Sequence, residues 1–387
     1  MTYFSRTDKS ILGRWWWTID RALLALLMVI MVFGVVLVAT ASPPVALRIG
    51  LDQYHFMIRH LIVLIPSFII MLGLSLLEVR QIWRISAVML LGSFFALVYV
   101  LGFGMEIKGA QRWIHLPGFS LQPSEFAKPA FIVVAAWFIA RQKEKPEFPG
   151  TKIAAGLYGV LVSLLILQPD MGMTFVVSFC FMVVIFLAGL PLRIICALCV
   201  LALGAVILAY FSFSHVQSRV DRFLNPDSGD TYQIEKSLEA FRSGGIFGTG
   251  PGQGEVKLTI PDAHADFIFS VAGEELGLFF VAILIGLYGY ILVRGFNRII
   301  DSNNIFVVLA TGGLLTMFGL QAFIHMGSAL HLLPTKGMTL PFISYGGSSL
   351  LSMSVAMGMV LALTRRQGQS SIAQSGLSVK PAVGGKL

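Results

Sequence analysis

The sequence predicts an all-α polytopic membrane protein, and three observations carry that prediction. The chain of 387 residues is 56% hydrophobic and only 12% charged, about half the charged fraction of a soluble domain. Its apolar residues fall in blocks that reach the roughly 20 residues a helix needs to cross a bilayer. Its cations sit mainly in the short pieces between those blocks, so the formal net charge of +8 reads as membrane topology and not as a nucleic-acid surface.

Ten spans are expected, at roughly 20–41, 58–77, 84–104, 124–140, 152–168, 171–189, 193–213, 266–293, 305–327 and 341–363. The first apolar run is too long for the core of a signal peptide, and no small-residue cleavage pattern follows it. An even number of spans puts both termini on one side. With that side cytoplasmic, the inner pieces carry 17 of the 28 Lys and Arg, among them Arg14, Arg21, Arg141, Lys143, Arg294, Arg298 and Arg365, as the positive-inside rule requires. Trp15, Trp16 and Trp17 precede the first span, where indoles favour the interface. The expected organisation is a cytoplasmic tail at 1–18, a membrane domain at 19–365 and a Gly/Ser-rich disordered tail at 366–387. Cys180, Cys196 and Cys199 lie inside apolar runs and read as helix packing rather than redox chemistry.

The outer face holds one long loop, 214–265, between spans seven and eight. Loops of that length are functional or disordered, and this one is rich in Phe, Ile and Leu. Within it, Ile234, Leu238 and Phe241 recur at helical spacing opposite Glu235, Lys236 and Glu239. This predicts a short helix lying on the membrane surface.

Ionisable groups within or bordering spans are functional candidates, and on the outer side they gather in four clusters. Lys108, Arg112 and Trp113 offer two cations and an indole; they suit a phosphate and a sugar face or a plain interfacial anchor. Gln122-Pro-Ser-Glu125-Phe-Ala-Lys128 opens a helix at Pro123. Glu125 and Lys128 are then i,i+3 neighbours able to pair, structurally or to orient a reacting group. Asp170 sits in a tight turn between two spans, as a helix cap or a site carboxylate. The fourth cluster joins a glycine-rich stretch, Gly244 to Gly254, to Pro261-Asp262-Ala263-His264-Ala265-Asp266. No strand precedes the glycines, so they are not a dinucleotide fingerprint and fit a loop over a site. Asp266 stands at the mouth of span eight, with Glu274 and Glu275 two turns further in; carboxylates at such low-dielectric boundaries serve as caps or as general bases. Lys336 is a cation at another outer boundary, and the hydroxyl of Ser344 in the Gly/Ser-rich opening of span ten can face a cavity or pack.

The clusters KGAQRW, QPSEFAK, QPDMG, PDAHADFIFSVAGEELG and LPFISYGGSS stand in the order found in the SEDS family (shape, elongation, division and sporulation). The chain resembles that family from about residue 20 to 366. It is closer to the FtsW branch of alphaproteobacteria than to the RodA branch, through LPFISYGGSS running on to ALTRR, GEELG, and the amino-terminal WWWTIDR. It departs in carrying Asp262 and Ala265 where the family often has Glu and Thr, while keeping His264 and Asp266.

The resemblance implies a peptidoglycan glycosyltransferase that polymerises lipid II during septal wall synthesis at the outer face of the bacterial inner membrane. It puts the catalytic carboxylate on Asp266, a supporting ion pair on Glu125 and Lys128, and a turn aspartate on Asp170, with His264 in the same frame. Lys108, Arg112, Trp113, Arg219, Arg222, Lys336 and Ser344 are then expected toward the pyrophosphate and sugar, with a divalent cation (Mg or Mn) as a further charge carrier. The implied partners are undecaprenyl-pyrophosphate-linked glycan, an FtsI-like class B penicillin-binding protein and other division proteins. The rival readings are a lipid II flippase and a non-catalytic division scaffold. A transporter should carry midplane charges and internal repeats, whereas the charges here lie at the outer boundary.

Overall fold

The computed structural model describes residues 10–107, 110–116, 119–191, isolated positions between 193 and 221, and residues 232–300, 302–334 and 337–365. The expected span 193–213 falls largely outside these residues, as do most of the expected loop before residue 232 and the expected tail 366–387.

A short helix, α1 (Ile11–Thr18), is capped by Ser10 and leads into α2 (Arg21–Arg48), capped by Asp20. The Trp15 indole donates to Ser75 Oγ at 2.9 Å, and the Arg21 guanidinium lies over the rings of Trp16 and Trp17. The expected inner tail is therefore partly helical and tied to the bundle. Then come α3 (His55–Ser75) and α4 (Val79–Phe103), the latter opened by a reciprocal Glu78/Gln81 capping box.

The stretch expected as a loop at 105–123 instead forms a three-stranded antiparallel sheet, β1 (Met105–Ile107), β2 (Ala110–Leu116) and β3 (Phe119–Leu121). The hairpins pair backbone groups that a loose loop at a membrane boundary would have to leave to water. The sheet caps one end of an otherwise helical fold.

Next are α5 (Pro123–Glu144), α6 (Gly150–Leu167), α7 (Met171–Leu187), α8 (Tyr232–Gly244), a 3₁₀ turn at Val256–Leu258, α9 (Ile268–Ile300), α10 (Ile305–Ala329) and α11 (Gly347–Leu363). Seven described helices are long and apolar enough to cross a membrane, with α7 and α11 as shorter apolar helices. The helix expected near Tyr232 is α8, which packs against α9. The spans expected to begin at 266 and 341 start later, because 261–267 and 341–344 are turns.

Helices α5, α10 and α11 are buried over most of their length and form the centre. Helices α4, α6, α7 and α10 pack around α5, and α3 lies along α11. On the outside the polarity of a soluble protein is inverted. Ile58, Ile62, Ile65 and Ile69 form an exposed stripe along α3, and Val88, Leu91, Phe95 and Val98 another on α4, which is the face a helix shows to lipid. The two ends of the bundle differ. Away from the sheet, buried Asp20 receives Arg294 Nη2 at 2.8 Å and Arg298 Nε at 2.5 Å, tying α2 to the far end of α9. Burial works to raise the Asp20 pKa, but hydrogen bonds from both guanidinia and from the Leu23 amide outweigh it and hold the carboxyl below its ordinary value.

Helix α9 is broken. At Gly277 the backbone takes φ 79°, ψ 174°. In a continuous helix the Leu278 and Phe279 amides would donate to the carbonyls of Glu274 and Glu275. They donate instead to Gly245 and Ile246, at 2.9 and 3.0 Å, while the freed Glu274 and Glu275 carbonyls accept from Thr249 and Gly250 at 2.9 and 3.0 Å. The glycine-rich stretch thus replaces two lost hydrogen bonds with four new ones. The neighbouring carboxylates fasten the same loop. Glu274 accepts from the Val256 and Lys257 amides at 2.6 and 2.9 Å. Glu275 pairs with the buried Lys257 ammonium, which also donates to the Thr40 carbonyl of α2 at 3.1 Å.

A methyl group at position 277 would meet the Gly248 nitrogen at 2.3 Å and the Ile246 oxygen at 2.4 Å, on a backbone already in the left-handed region. We expect Gly277→Ala to destabilise the fold by about 3 kcal/mol. Gly289→Ala, where an added Cβ meets open space in the same helix, should be neutral or stabilising by about 0.5–1 kcal/mol. Thermal unfolding of both variants in detergent checks the contrast; equal melting temperatures would refute it.

Candidate active site

The sheet end of the bundle gathers the polar clusters. Pro123 starts α5, so Glu125 lies in the first turn and Lys128 one turn on. Both side chains are almost wholly buried, and Lys128 Nζ is 2.9 Å from Glu125 Oε2. The contact is short but off the hydrogen-bonding direction for both atoms, so charge holds this pair more than directional bonding does.

Asp170 is a helix cap, the first of its two expected possibilities, and it also meets polar side chains. It caps α7, accepting from the Met173 amide at 3.3 Å. Its other oxygen receives Gln122 Nε2 at 3.4 Å, and Arg112 Nη1 lies 4.0 Å away. Arg112, half-buried on β2, is largely committed to this turn, with Nε donating to the Gln168 carbonyl at 3.1 Å and Nη2 to the Pro169 carbonyl. Trp113 is half-buried beside it on the same strand. The Gln122 amide donates to Ser348 Oγ at 3.0 Å, and Ser348 Oγ donates to the Ser120 carbonyl at 3.0 Å. The start of α11 is thereby stitched to β3 and α5, and Ser352 Oγ extends the seam by donating to the Glu125 carbonyl at 2.6 Å.

Asp266 lies in the turn that precedes α9, partly buried. Its amide donates to the Asp262 carbonyl at 3.0 Å. The Gly337 backbone faces its carboxylate so closely that a Cβ there would sit 3.4 Å from Oδ2. Two non-glycine residues in the left-handed region, Asp262 (φ 50°) and Phe342 (φ 65°), occur in the two segments that meet here, as strain at functional sites does. His264 is buried. Its ring stacks on Phe56 of α3, with centroids 4.1 Å apart and planes 28° apart, and Tyr345 packs beside it at 5.1 Å. The Tyr345 amide donates to the His264 carbonyl at 3.0 Å. Burial pushes the His264 imidazole down to about 4, so it is neutral at physiological pH.

The segment from Gly337 to Ser352 therefore touches Asp266, His264, Gln122 and Glu125 in turn, and brings the α5 and α9 clusters to one end of the bundle. Ser344 serves inside that segment: buried, its Oγ accepts from the Leu340 amide at 2.8 Å. Lys108, Arg219, Arg222 and Lys336 lie outside the described residues. Sequence reasoning missed Phe56 and Tyr345 as the walls around His264, and Lys257 as the partner of Glu275. No local signal marks them, since each meets a residue far along the chain. Among the described residues no three His, Cys, Asp or Glu side chains converge as metal ligands.

The fold and this site define a polytopic helical membrane protein with an ion-paired polar site at one end of its bundle. Residues 20–369 match the family of FtsW, RodA and SpoVE, described as "Cell cycle protein", and the chain belongs to that family. Among its relatives is the "Probable peptidoglycan glycosyltransferase FtsW" of Caulobacter vibrioides, 44% identical over 365 residues that cover 94% of each chain. The protein of the same name from Coxiella burnetii is 37% identical, covering 89% of this chain and 96% of that one. Two solved structures share the fold. One, from "Structural coordination of polymerization and crosslinking by a peptidoglycan synthase complex", has a TM-score of 0.75 and 30% identity, covering 89% of this chain and 97% of that chain. The other, the rod shape determining protein RodA of Thermus thermophilus, has a TM-score of 0.68 and 29% identity, covering 91% and 99%.

Glu125→Gln leaves the buried Lys128 charge unpaired and should cost about 3–5 kcal/mol of stability. Glu125→Gln with Lys128→Met removes both charges and should recover most of that loss. Unfolding of the two variants in detergent decides; a double variant as unstable as the single would refute the pairing argument. The His264 shift has a definite sign. A folded-state pKa below the ordinary 6.5 means that the unfolded chain binds the proton more readily. The stabilisation is whole above about pH 6.5 and is lost as pH falls toward 4. His264→Phe keeps a ring against Phe56 but cannot titrate, so its melting temperature should fall less than that of the wild type across this window.

Proposed function

We propose that this protein polymerises lipid II into β-1,4-linked glycan strands during septal wall synthesis, with Asp266 as general base at the outer face of the inner membrane. The observation that carries the site assignment is the position of Asp266: a partly buried carboxylate at the head of a membrane helix, at the same end of the bundle as the buried Glu125–Lys128 pair. The near-full-length similarity to proteins called peptidoglycan glycosyltransferase supports the activity.

In this reading the donor is the growing strand on its undecaprenyl pyrophosphate. The acceptor is the 4-hydroxyl of the N-acetylglucosamine of an incoming lipid II. Asp266 accepts the hydroxyl proton as the oxygen attacks the anomeric carbon of the donor N-acetylmuramic acid. The bond from that carbon to the pyrophosphate oxygen breaks, the configuration inverts to β, and undecaprenyl pyrophosphate leaves with its charge. Cations stabilise that charge as it develops. Lys128 and Arg112 are the described candidates, with Lys108, Arg219, Arg222 and Lys336 proposed beside them. Asp170 holds Arg112 and Gln122 in place, and neutral His264 acts as an apolar wall behind the base. Trp113 offers a sugar-stacking face, and Ser344 shapes the turn that faces Asp266. A divalent ion carried on the pyrophosphate would add to the same charge stabilisation. The proposed partner is a class B penicillin-binding protein of the FtsI type that cross-links the strands, together with other division proteins at the septum.

The purified protein with its cognate penicillin-binding partner should make glycan polymer from labelled lipid II when penicillin blocks cross-linking, and Asp266→Asn should lower the rate about 10²–10⁴-fold. Polymer from the folded variant at the wild-type rate would sink the assignment of the base. No polymer from the wild type with added divalent ions would favour a flippase or scaffold.

A further inference from the structure

The Gly337 backbone faces the Asp266 carboxylate. Helix α10 ends at Ala329, and the chain must return from there to place Gly337 beside the carboxylate. Thr335 and Lys336 lie outside the described residues; beyond them, one side chain of α10 meets the Met338 backbone. It is His325, fully buried in the penultimate turn of α10. Its Nδ1 is 2.7 Å from the carbonyl oxygen of Met338. A carbonyl can only accept, so Nδ1 carries the proton and donates. Nε2 is then the bare nitrogen, and it has no hydrogen-bond partner among the described residues. The imidazole therefore spends its one described hydrogen bond on the residue adjoining Gly337.

We propose that His325 is a positioning residue for the polymerase reaction: its Nδ1–H holds the Met338 carbonyl, and through it sets the Gly337 backbone at its distance from the Asp266 carboxylate. This rests on the reading of Asp266 as the base. The chemistry is steric and directional. Gly337 is the wall against which the carboxylate sits, and the space between them sets where the attacking hydroxyl can approach. Met338 itself is buried, so its carbonyl has no water to turn to if the imidazole is removed, and the backbone must move to satisfy it. A shift of about 1 Å at a reacting group lowers a rate by about 10²-fold. Substrate binding, which draws on the remote pyrophosphate and lipid contacts, would change little.

Three substitutions separate this role from plain packing. Asn carries an amide nitrogen on Cγ, where the imidazole carries Nδ1, and can donate from the same place. Gln moves that donor one bond further out, and Leu removes it while filling much of the volume. We expect His325→Leu and His325→Gln to lower kcat about 100-fold with the lipid II KM within about threefold of the wild type, while His325→Asn stays within about threefold in kcat. Each variant, with the penicillin-binding partner present, is compared with Asp266→Asn in the same assay after a monodisperse elution profile. Wild-type kcat in folded His325→Leu or His325→Gln overturns the proposal. So does a His325→Asn variant as slow as the Leu variant, because packing alone would then explain the loss. If Asp266→Asn keeps the wild-type kcat, the assignment of the base has failed and this inference falls with it. An inactive Asp266→Asn beside an active His325→Leu refutes the positioning role alone.

Discussion

The exchange of backbone hydrogen bonds across Gly277 is the constraint on which the rest of the sheet end depends. A break in a membrane helix leaves carbonyls and amides that hydrocarbon cannot satisfy. Here the Gly245–Gly250 stretch supplies their partners, donating to Glu274 and Glu275 and accepting from Leu278 and Phe279. The loop and the helix are therefore complete only together. The carboxylates beside the break then fix the loop a second time, through the Val256 and Lys257 amides and the Lys257 ammonium. Asp266 lies in the stretch of chain between Lys257 and Glu274, whose ends these contacts join.

Among the described residues, the buried charges at this end face partners. Glu125 faces Lys128, Glu275 faces Lys257, and Asp170 meets Gln122, Arg112 and the first turn of α7. Pairs of this kind contribute little net stability, because desolvation offsets their attraction. Their worth is in orientation, since each links segments that are distant in sequence. Lys257 joins the long loop to α2 and α9, Arg112 joins the sheet to the turn before α7, and Ser348 joins α11 to α5. The small sheet has a related role. It pairs its own backbone at a boundary and carries Arg112 to the turn before α7.

Much of the architecture was legible in the chain because its causes are local. Apolar block length and basic loop ends predict the spans, the spacing of Ile234, Leu238 and Phe241 predicts α8, and Pro123 with an i,i+3 Glu and Lys predicts the ion pair of α5. The sheet at 105–121 was not legible. Its strands are short, and their pairing depends on hairpin register more than on hydrophobic pattern. The late starts of α9 and α11 escaped for the same reason: the turns at 261–267 and 341–344 are held by contacts across the fold, such as the Tyr345 amide on the His264 carbonyl and the Tyr288 hydroxyl on the Pro341 carbonyl.

The sequence by itself determined the membrane class, the family, and the residue types at the site, because hydropathy, charge placement and ordered motifs are properties of neighbouring residues. Only the tertiary structure decided that His264 is buried and stacked on Phe56, and that Glu274 and Glu275 fasten a loop. It also decided that His325 reaches the backbone beside Asp266. Each of these depends on which distant group a buried polar atom meets. In an interior without water a missing partner is costly, but nothing in the adjacent residues names the partner.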